Sequence, residues 1–338
     1  MTVKLISIVI PCYNEAATVH EFYHRICALS ASMEPIKFEF IFVNDGSTDE
    51  TGTILNDLAE KNSQVKVLHL AQNRGHQIAL TAGIDYATGN MIVTIDADLQ
   101  DPPELVREML QKVESGYDIV HAQRNRRAGE TWFKLASSRL FYRLMDWLSN
   151  TTIIEDCADF RAFTRPVQET LTAFRTPHRF LRGTFSQLGF SQCVIQYERD
   201  ARFAGQTKYS LIKMMNLSID AILGFSSAPI RIIPWFSIFL WAVSLLYLIK
   251  SLIHHFILKN TVPGWTSIIA LMFFFTGLIL FCIAIIASYI GRIFIQGQNP
   301  PLYWMFDTRN VDLEHIWKRS GDLREVKLSQ RIMSNKVK

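Results

Sequence analysis

The sequence has no C-x-x-C pair, no strong charge bias and no glycine-rich phosphate loop, and each absence removes a class of function. Its five cysteines, Cys12, Cys27, Cys157, Cys193 and Cys282, are odd in number and scattered. That usage argues against a disulfide framework or a zinc site, and for a reducing compartment. With 35 Lys and Arg against 31 Asp and Glu, the net charge is only +4. A general polyanion binder is not implied, and no nucleic acid partner is expected. Walker A, G-x-G-x-x-G and nucleophile-elbow motifs are missing, and the nine histidines lack metal-ligand spacing. No secretory leader is expected either. The run Leu5–Ile10 is too short to span a bilayer and is followed by no small-residue cleavage site, so it is expected to be a buried strand.

What the first ~125 residues do have is alternation. Strand-like runs at Leu5–Ile10, Phe38–Val43, Val65–Leu70, Met91–Ile95 and Asp118–Ala122 are separated by helix-like segments at Ala16–Ser30, Glu50–Lys61, His76–Ala87 and Pro103–Glu114. Short apolar strands alternating with helices predict an α/β domain, a mostly parallel sheet with helices on both faces. Ligands of such sheets sit beyond the carboxyl ends of the strands. Four polar clusters fall there: Pro11–Glu15, Asn44–Asp49, Asn73–His76 and Asp96–Asp101.

Apolar character is concentrated later. Ile232–Ile249 and Ser267–Ile290 contain no Asp, Glu, Lys or Arg, and each approaches the ~20 residues that a bilayer requires. A short turn between them predicts a two-helix transmembrane hairpin. Arg202, Lys208, Lys213, Arg231 and Arg292 flank its outer ends, so the α/β domain and both termini are expected in the cytoplasm. Trp235, Trp241, Trp265 and Trp304 sit near plausible interfaces. Trp132–Leu148 and Tyr209–Phe225 carry apolar residues at helical spacing with basic residues on the other face; interface-lying helices compete there with ordinary core-facing ones. The expected organisation is an α/β domain over 1–208, including an amphipathic helix at 132–150. A juxtamembrane helix over 209–231, spans within 232–295 and a C-terminal tail over 296–338 follow. The tail is polar, charge-mixed and without an assigned role.

Chemistry is densest at Thr94-Ile95-Asp96-Ala97-Asp98-Leu99-Gln100-Asp101-Pro102-Pro103. If the chain stays extended, Asp96 and Asp98 point the same way. Two such carboxylates can hold a hard divalent cation, Mg²⁺ or Mn²⁺, whose remaining positions suit diphosphate oxygens. A lone D-x-D is a weak signal, but its place at a strand end before Gln-Asp-Pro-Pro strengthens it.

Together with Ile10-Pro11-Cys12-Tyr13-Asn14-Glu15 and Val43-Asn44-Asp45-Gly46-Ser47, this segment resembles the inverting family-2 glycosyltransferases of GT-A fold. The likeness is closer to their polyprenyl-phosphate branch, which includes dolichol-phosphate mannose synthases and undecaprenyl-phosphate glucosyltransferases. It extends from Val3 to about Pro301. The resemblance puts Pro11, Tyr13 and Glu15 against the nucleoside and Val43 and Asp45 near the base. Asp96 and Ala97 fall near ribose and diphosphate, Asp98 on the metal, Gln100 beside it, and Arg124 after the fifth strand. Cys157-Ala158-Asp159-Phe160-Arg161 resembles the family's G-D-F-R element, which makes Asp159 the acceptor-side acid, a general base or an orienting group. Arg202-Phe203-Ala204-Gly205-Gln206-Thr207-Lys208-Tyr209 resembles the R-x-x-G-x-S-K-Y loop, with Arg202 and Lys208 gripping phosphates.

The implied reaction is inverting transfer from a nucleotide-diphosphate sugar, UDP-glucose or a related UDP-hexose, to polyprenyl phosphate at the inner membrane. A homo-oligomer, a tetramer as in relatives, is implied as well. The alternatives are a GDP-mannose-dependent mannose synthase and a non-catalytic nucleotide-binding adaptor. A processive polysaccharide synthase fits less well, because Q-x-x-R-W is absent where Arg179-Phe180-Leu181-Arg182-Gly183 stands.

Overall fold

The computed structural model describes residues 3–124, 157–175, 181–198, 264–298 and 301–311, with isolated positions between 233 and 249. The chain divides into two compact units. One carries a sheet together with the segment after Pro301; the other carries a long apolar helix.

In the sheet unit, strands β1 (Leu5–Cys12), β2 (Lys37–Asn44), β3 (Val65–Leu70) and β4 (Met91–Thr94) alternate with helices α1 (Val19–Ala31), α2 (Thr51–Lys61) and α3 (His76–Tyr86). A single 3₁₀ turn (Pro103–Leu105) leads into α4 (Val106–Glu114), followed by β5 (Ile119–Arg124). Then come β6 (Cys157–Thr164), α5 (Arg165–Ala173), α6 (Leu181–Gln187) and β7 (Gln192–Tyr197). A last strand, β8 (Met305–Arg309), follows the apolar helix α7 (Trp265–Gln298). Among the described residues the eight strands form one sheet in the order β7-β5-β6-β4-β1-β2-β3-β8.

β1 lies in the middle, parallel to β2 and to β4. Its run Ile6, Ile8, Val9 and Ile10 is fully buried, which is why it reads as continuous apolar sequence and does not alternate. Two strands run against the rest. β6 is antiparallel to both β4 and β5, and β8 is antiparallel to β3 at the edge. The sheet is thus mostly parallel, as the alternation predicts, and its two reversed strands lie after the alternating region ends. The reversal of β6 has a direct consequence. An antiparallel strand enters the sheet at the end where its neighbours leave it, so Asp159, two residues before the Arg161–Thr94 pair, arrives at the carboxyl end of β4.

The core divides between the two faces of the sheet. One face packs α1, α2 and α4 through Val19, Phe22, Ile26, Leu55, Val106 and Met109; α3, α5 and α6 contribute to the other. α3 lies against the strands with unusual closeness. A Cβ at Gly83 would stand 2.2 Å from Val9 Cγ1 and 3.0 Å from Val43 Cγ2. Ala79, Leu80, Ala82 and Ile84 are buried beside it, so this helix is apolar nearly all round.

In the other unit, Phe274–Gln298 of α7 is long and apolar enough to cross a membrane by length and composition, with a mean hydropathy of 2.4 and none of it buried. The expected second stretch, Ser267–Ile290, falls within this helix. The expected first stretch, Ile232–Ile249, and with it the hairpin, lies outside the described residues apart from isolated positions. The expected interface helices at Trp132–Leu148 and Tyr209–Phe225 lie outside them as well.

The close approach at Gly83 is testable. Both facing side chains are β-branched and fully buried, so they have little freedom to yield. Gly83→Ala is expected to destabilise the protein by about 1–3 kcal/mol, despite the better helix propensity of alanine. Urea unfolding followed by circular dichroism measures it, and an unchanged midpoint would show that α3 can lift away at no cost.

Candidate active site

The carboxyl ends of β1, β2, β3, β4 and β5 lie along one edge of the sheet, and the loops there are tied to one another by side chains. After β1, Asn14 takes a positive φ of 55°, accepts a hydrogen bond from the Thr48 amide at 2.9 Å and donates its own amide to Ser47 Oγ at 3.0 Å. The Glu15 amide donates to Thr51 Oγ1 at 2.9 Å. After β2, Asp45 accepts from the Arg74 amide at 2.7 Å and the Gly75 amide at 2.9 Å. Burial pushes its carboxyl up in spite of those two bonds. This contact requires glycine next to it. Gly46 has φ +66°, and a Cβ there would stand 2.7 Å from the Asn73 amide nitrogen.

These bonds fix the start of α3, whose first two side chains reach across to β6. Asp159 is almost completely buried. It accepts from His76 Nε2 at 3.2 Å, from Gln77 Nε2 at 3.0 Å, and from Arg182 Nε and Nη2 at 3.1 Å each. Arg161 Nη2 stands 3.5 Å away, and its guanidinium lies over the Phe185 ring at 4.5 Å. Burial opposes ionisation of Asp159, but the Arg182 guanidinium, the His76 imidazole and the Arg161 guanidinium hold its carboxyl well below the usual carboxylate range.

His76 also faces Asp96, with Nε2 3.5 Å from Oδ1. Burial works against the charged imidazole, but Asp96 and Asp159 outweigh it and raise His76 to about 9. Asp96 moves the other way from its neighbour. Burial pushes its carboxyl up to about 6, with Asp159, Asp101 and Asp98 adding to the rise and His76 opposing it.

The Asp96–Asp98 segment is not extended as the sequence suggests. β4 ends at Thr94, Ala97 and Asp98 form a turn, and Leu99 takes a positive φ of 61°. The chain folds back there, so that Asp98 Oδ1 accepts the Gln100 amide at 3.1 Å. Strand alternation therefore does not govern where the two carboxylates lie. Among the described residues no group of three or more His, Cys, Asp or Glu is placed to hold a metal ion. The turn nevertheless fits a divalent cation that takes further oxygens from a bound diphosphate. Asp96 Oδ1 and Gln100 Oε1 are both buried without a hydrogen-bond partner, and both are hard oxygen donors.

The other expected residues fall as follows. Pro11 lies in β1 opposite Val43 of β2, Tyr13 is exposed, and Glu15 Oε2 accepts from Thr18 Oγ1 at 3.1 Å. The Val43 side chain is fully buried, facing α3, and Ala97 is buried too, so a nucleotide can meet Val43 only through its backbone. Arg124 is engaged with two residues of the protein. Its Nε donates to Tyr197 Oη at 3.1 Å and its Nη2 lies 3.4 Å from both oxygens of Asp101, to which Tyr197 also donates. Asp101 is fully buried, so this triad ties the Gln100-Asp101 turn to β5 and β7. Arg202 and Lys208 lie outside the described residues. Sequence reasoning gave no role to His76, Gln77, Arg161 or Arg182. The signals are the polar cluster Asn73–His76 at a strand end and the place of Arg161 in the G-D-F-R-like element; Arg182 stands only in the segment where Q-x-x-R-W is absent.

The profile of glycosyl transferase family 2 matches residues 7–172. Over 314 residues the chain is 40% identical to Uncharacterized glycosyltransferase YkcC of Bacillus subtilis (strain 168), which covers 92% of this chain and 96% of that one. The chain belongs to glycosyl transferase family 2. It is a glycosyltransferase of GT-A fold, as the resemblance implies. The SfII prophage-derived bactoprenol glucosyl transferase of Shigella flexneri is similar at 34% identity, covering 88% of this chain and 96% of its own. Among solved structures, glucosyl-3-phosphoglycerate synthase from Mycobacterium tuberculosis in complex with Mn²⁺, UDP and phosphoglyceric acid is similar at 22% identity and a TM-score of 0.47, covering 65% of this chain and 76% of that one.

The charge state of His76 in this glycosyltransferase gives a signed pH dependence. Its folded pKa, about 9, lies above the ordinary 6.5. The stability it contributes is therefore complete below about pH 6.5 and lost as pH rises through about 9. In metal-free protein, urea midpoints should fall more steeply between pH 6.5 and 9.5 for the wild type than for His76→Gln. Parallel curves would mean that the ring is neutral when folded.

Proposed function

We propose that this glycosyltransferase moves a hexose from a nucleotide-diphosphate sugar, UDP-glucose in the first instance, to the phosphate of a membrane polyprenyl phosphate with inversion. The observation that carries the donor side is Asp96: a carboxylate at the end of β4, pushed up by burial, with one buried oxygen lacking a hydrogen bond. Such a group calls for a cation and an anionic ligand. Asp45, which fixes the start of α3, and the β1 loop lie at the same edge of the sheet, where a nucleoside sits beyond the strand ends.

The acceptor side rests on two supports. Similarity to proteins named bactoprenol glucosyl transferase runs along 88% of the chain. The unburied apolar helix Phe274–Gln298 supports membrane attachment. With Ile232–Ile249 as its partner it makes an inner-membrane hairpin with the catalytic domain in the cytoplasm.

In the proposed reaction an oxygen of the lipid phosphate attacks the anomeric carbon. The bond from that carbon to the donor phosphate breaks, and the nucleoside diphosphate leaves with the electron pair. Mg²⁺ or Mn²⁺ held by Asp96 and Asp98, with Gln100 beside it, would neutralise charge on the departing diphosphate. Asp159 is poorly suited to the part of general base. Its carboxyl is held well below the usual range, and donors from α3 and α6 occupy it. A phosphate acceptor is already largely ionised at neutral pH and needs no such base. Asp159 instead orients His76, Gln77 and Arg182 around the reacting centre. Arg202 and Lys208 are the groups we assign to gripping the phosphates. The enzyme assembles as a homo-oligomer, a tetramer in this reading.

Turnover by purified protein with undecaprenyl phosphate, Mg²⁺ and either UDP-glucose, UDP-N-acetylglucosamine or GDP-mannose tests the proposal. A sugar–lipid product from UDP-glucose is expected, with Asp98→Ala lowering kcat by about 10²–10³-fold. Product from GDP-mannose alone would make the enzyme a mannose synthase. No product from any donor would sink the polyprenyl acceptor.

A further inference from the structure

The segment that follows the apolar helix returns to the catalytic unit and closes one side of the site's scaffold. Only six residues separate the end of α7 at Gln298 from the start of β8 at Met305. β8 then pairs with β3, the strand that leads into the Asn73–His76 turn. The attachment is extensive for so short a segment. Leu302, Tyr303 and Met305 are buried in the core on the α3 side of the sheet. Tyr303 Oη donates to Asp85 Oδ2 at 2.7 Å, and Asn310 Nδ2 donates to the carbonyls of Ala59 at 2.7 Å and Val65 at 2.9 Å.

Between these anchors stands Trp304. Its carbonyl accepts the Ala71 amide at 2.9 Å, and the Arg74 guanidinium carbon lies 4.7 Å from its ring centroid. Arg74 Nε is buried and has no hydrogen-bond partner among the described residues, so the aromatic face is the contact that sets the guanidinium plane. The backbone of the same residue donates to Asp45 at 2.7 Å, and Gly75 and His76 follow at once. Trp304 thus holds the β3–α3 turn at two places, its start through Ala71 and its middle through Arg74.

We propose that Trp304 is a positioning residue for donor binding, acting through Arg74 and the turn that fixes Asp45. This rests on the donor site described under Proposed function. It makes the residues after the apolar helix part of the nucleotide-binding apparatus. Sequence position alone would give Trp304 a place at the membrane interface; the structure gives it a place beside Arg74.

The experiment uses full-length protein in detergent, with Trp304→Ala, Trp304→Phe, Arg74→Ala and the double alanine variant. Three quantities are read: UDP and GDP binding by calorimetry, hydrogen exchange over residues 71–78, and donor KM and kcat. Trp304→Ala is expected to weaken nucleotide binding and raise donor KM about tenfold, with kcat at saturating donor within about twofold. Phenylalanine, which keeps an aromatic face, should restore most of the affinity. The double variant should bind no worse than Arg74→Ala, and residues 71–78 should exchange faster in Trp304→Ala. Wild-type affinity in Trp304→Ala, full additivity with Arg74→Ala, or a fall in kcat in place of affinity would each overturn the inference. If wild-type protein binds neither nucleotide, the donor reading fails by itself. The exchange measurement then decides the inference, and an unchanged rate over 71–78 overturns it.

Discussion

α3 lies nearer the sheet than any side chain at position 83 would permit, and the arrangement of the site follows from that contact. With Gly83 against Val9 and Val43, the axis of the helix is fixed by two central strands. Its first turn is then fixed by the end of β2, because Asp45 accepts both the Arg74 and the Gly75 amides. Helix amino termini carry unpaired N–H groups and partial positive charge, and a buried carboxylate is a suitable partner for both. A helix held at these two places can deliver His76 and Gln77 to Asp159 reproducibly. Without the first contact the second would tether a helix free to tilt.

The cluster around Asp159 shows why charge here is arranged and not merely accumulated. A buried carboxylate is costly unless it is paired and hydrogen-bonded. Asp159 meets that condition with a bidentate guanidinium, an imidazole and an amide, drawn from α6 and α3. Asp96, two residues past the end of β4, has no comparable set, and its carboxyl rises toward 6 while that of Asp159 falls. Two carboxylates in one site therefore have opposite characters. One is a satisfied anchor for cations; the other has unmet demand for positive charge. His76 stands between them and faces both. Environments that drive neighbouring groups apart in this way are typical of sites where different residues take different roles.

Much of this was legible in the sequence. Each of the first four strands is a compact apolar run, and the helices between them begin and end within a few residues of where periodicity puts them. The polar clusters at the strand ends gave the edge of the sheet where the site lies. What the pattern concealed depends on direction and on long-range pairing. β6 reads as Cys157-Ala158-Asp159-Phe160-Arg161, with charged residues inside the sheet, and only its antiparallel pairing with β4 explains them. Arg182 looked like one more basic residue, because its partner lies 23 positions away in sequence. The pair Asp96 and Asp98 is legible, but an extended geometry for it fails at Leu99, whose positive φ no apolar pattern announces. Arg124 was matched by position, whereas its engagement with Asp101 and Tyr197 depends on β7 lying alongside β5.

β8 is the clearest case of information that a local reading cannot hold. Five residues, Met305-Phe306-Asp307-Thr308-Arg309, carry too little apolar character to stand as a strand by themselves. They become one because β3 offers an unpaired edge, and because Leu302 and Tyr303 just before them find room in the core. Covering that edge removes a surface on which another chain could add a strand. It also means that an apolar helix interrupts a domain whose sheet is completed only on the far side of it. A segment arriving that late is held by contacts made to elements already in place, the Arg74 guanidinium and the carbonyls at the two ends of the α2–β3 connection. The turn that fixes Asp45 therefore has two neighbours of different origin. β2 reaches it within the alternating domain, and the segment of Trp304 and β8 reaches it from beyond the apolar helix in sequence.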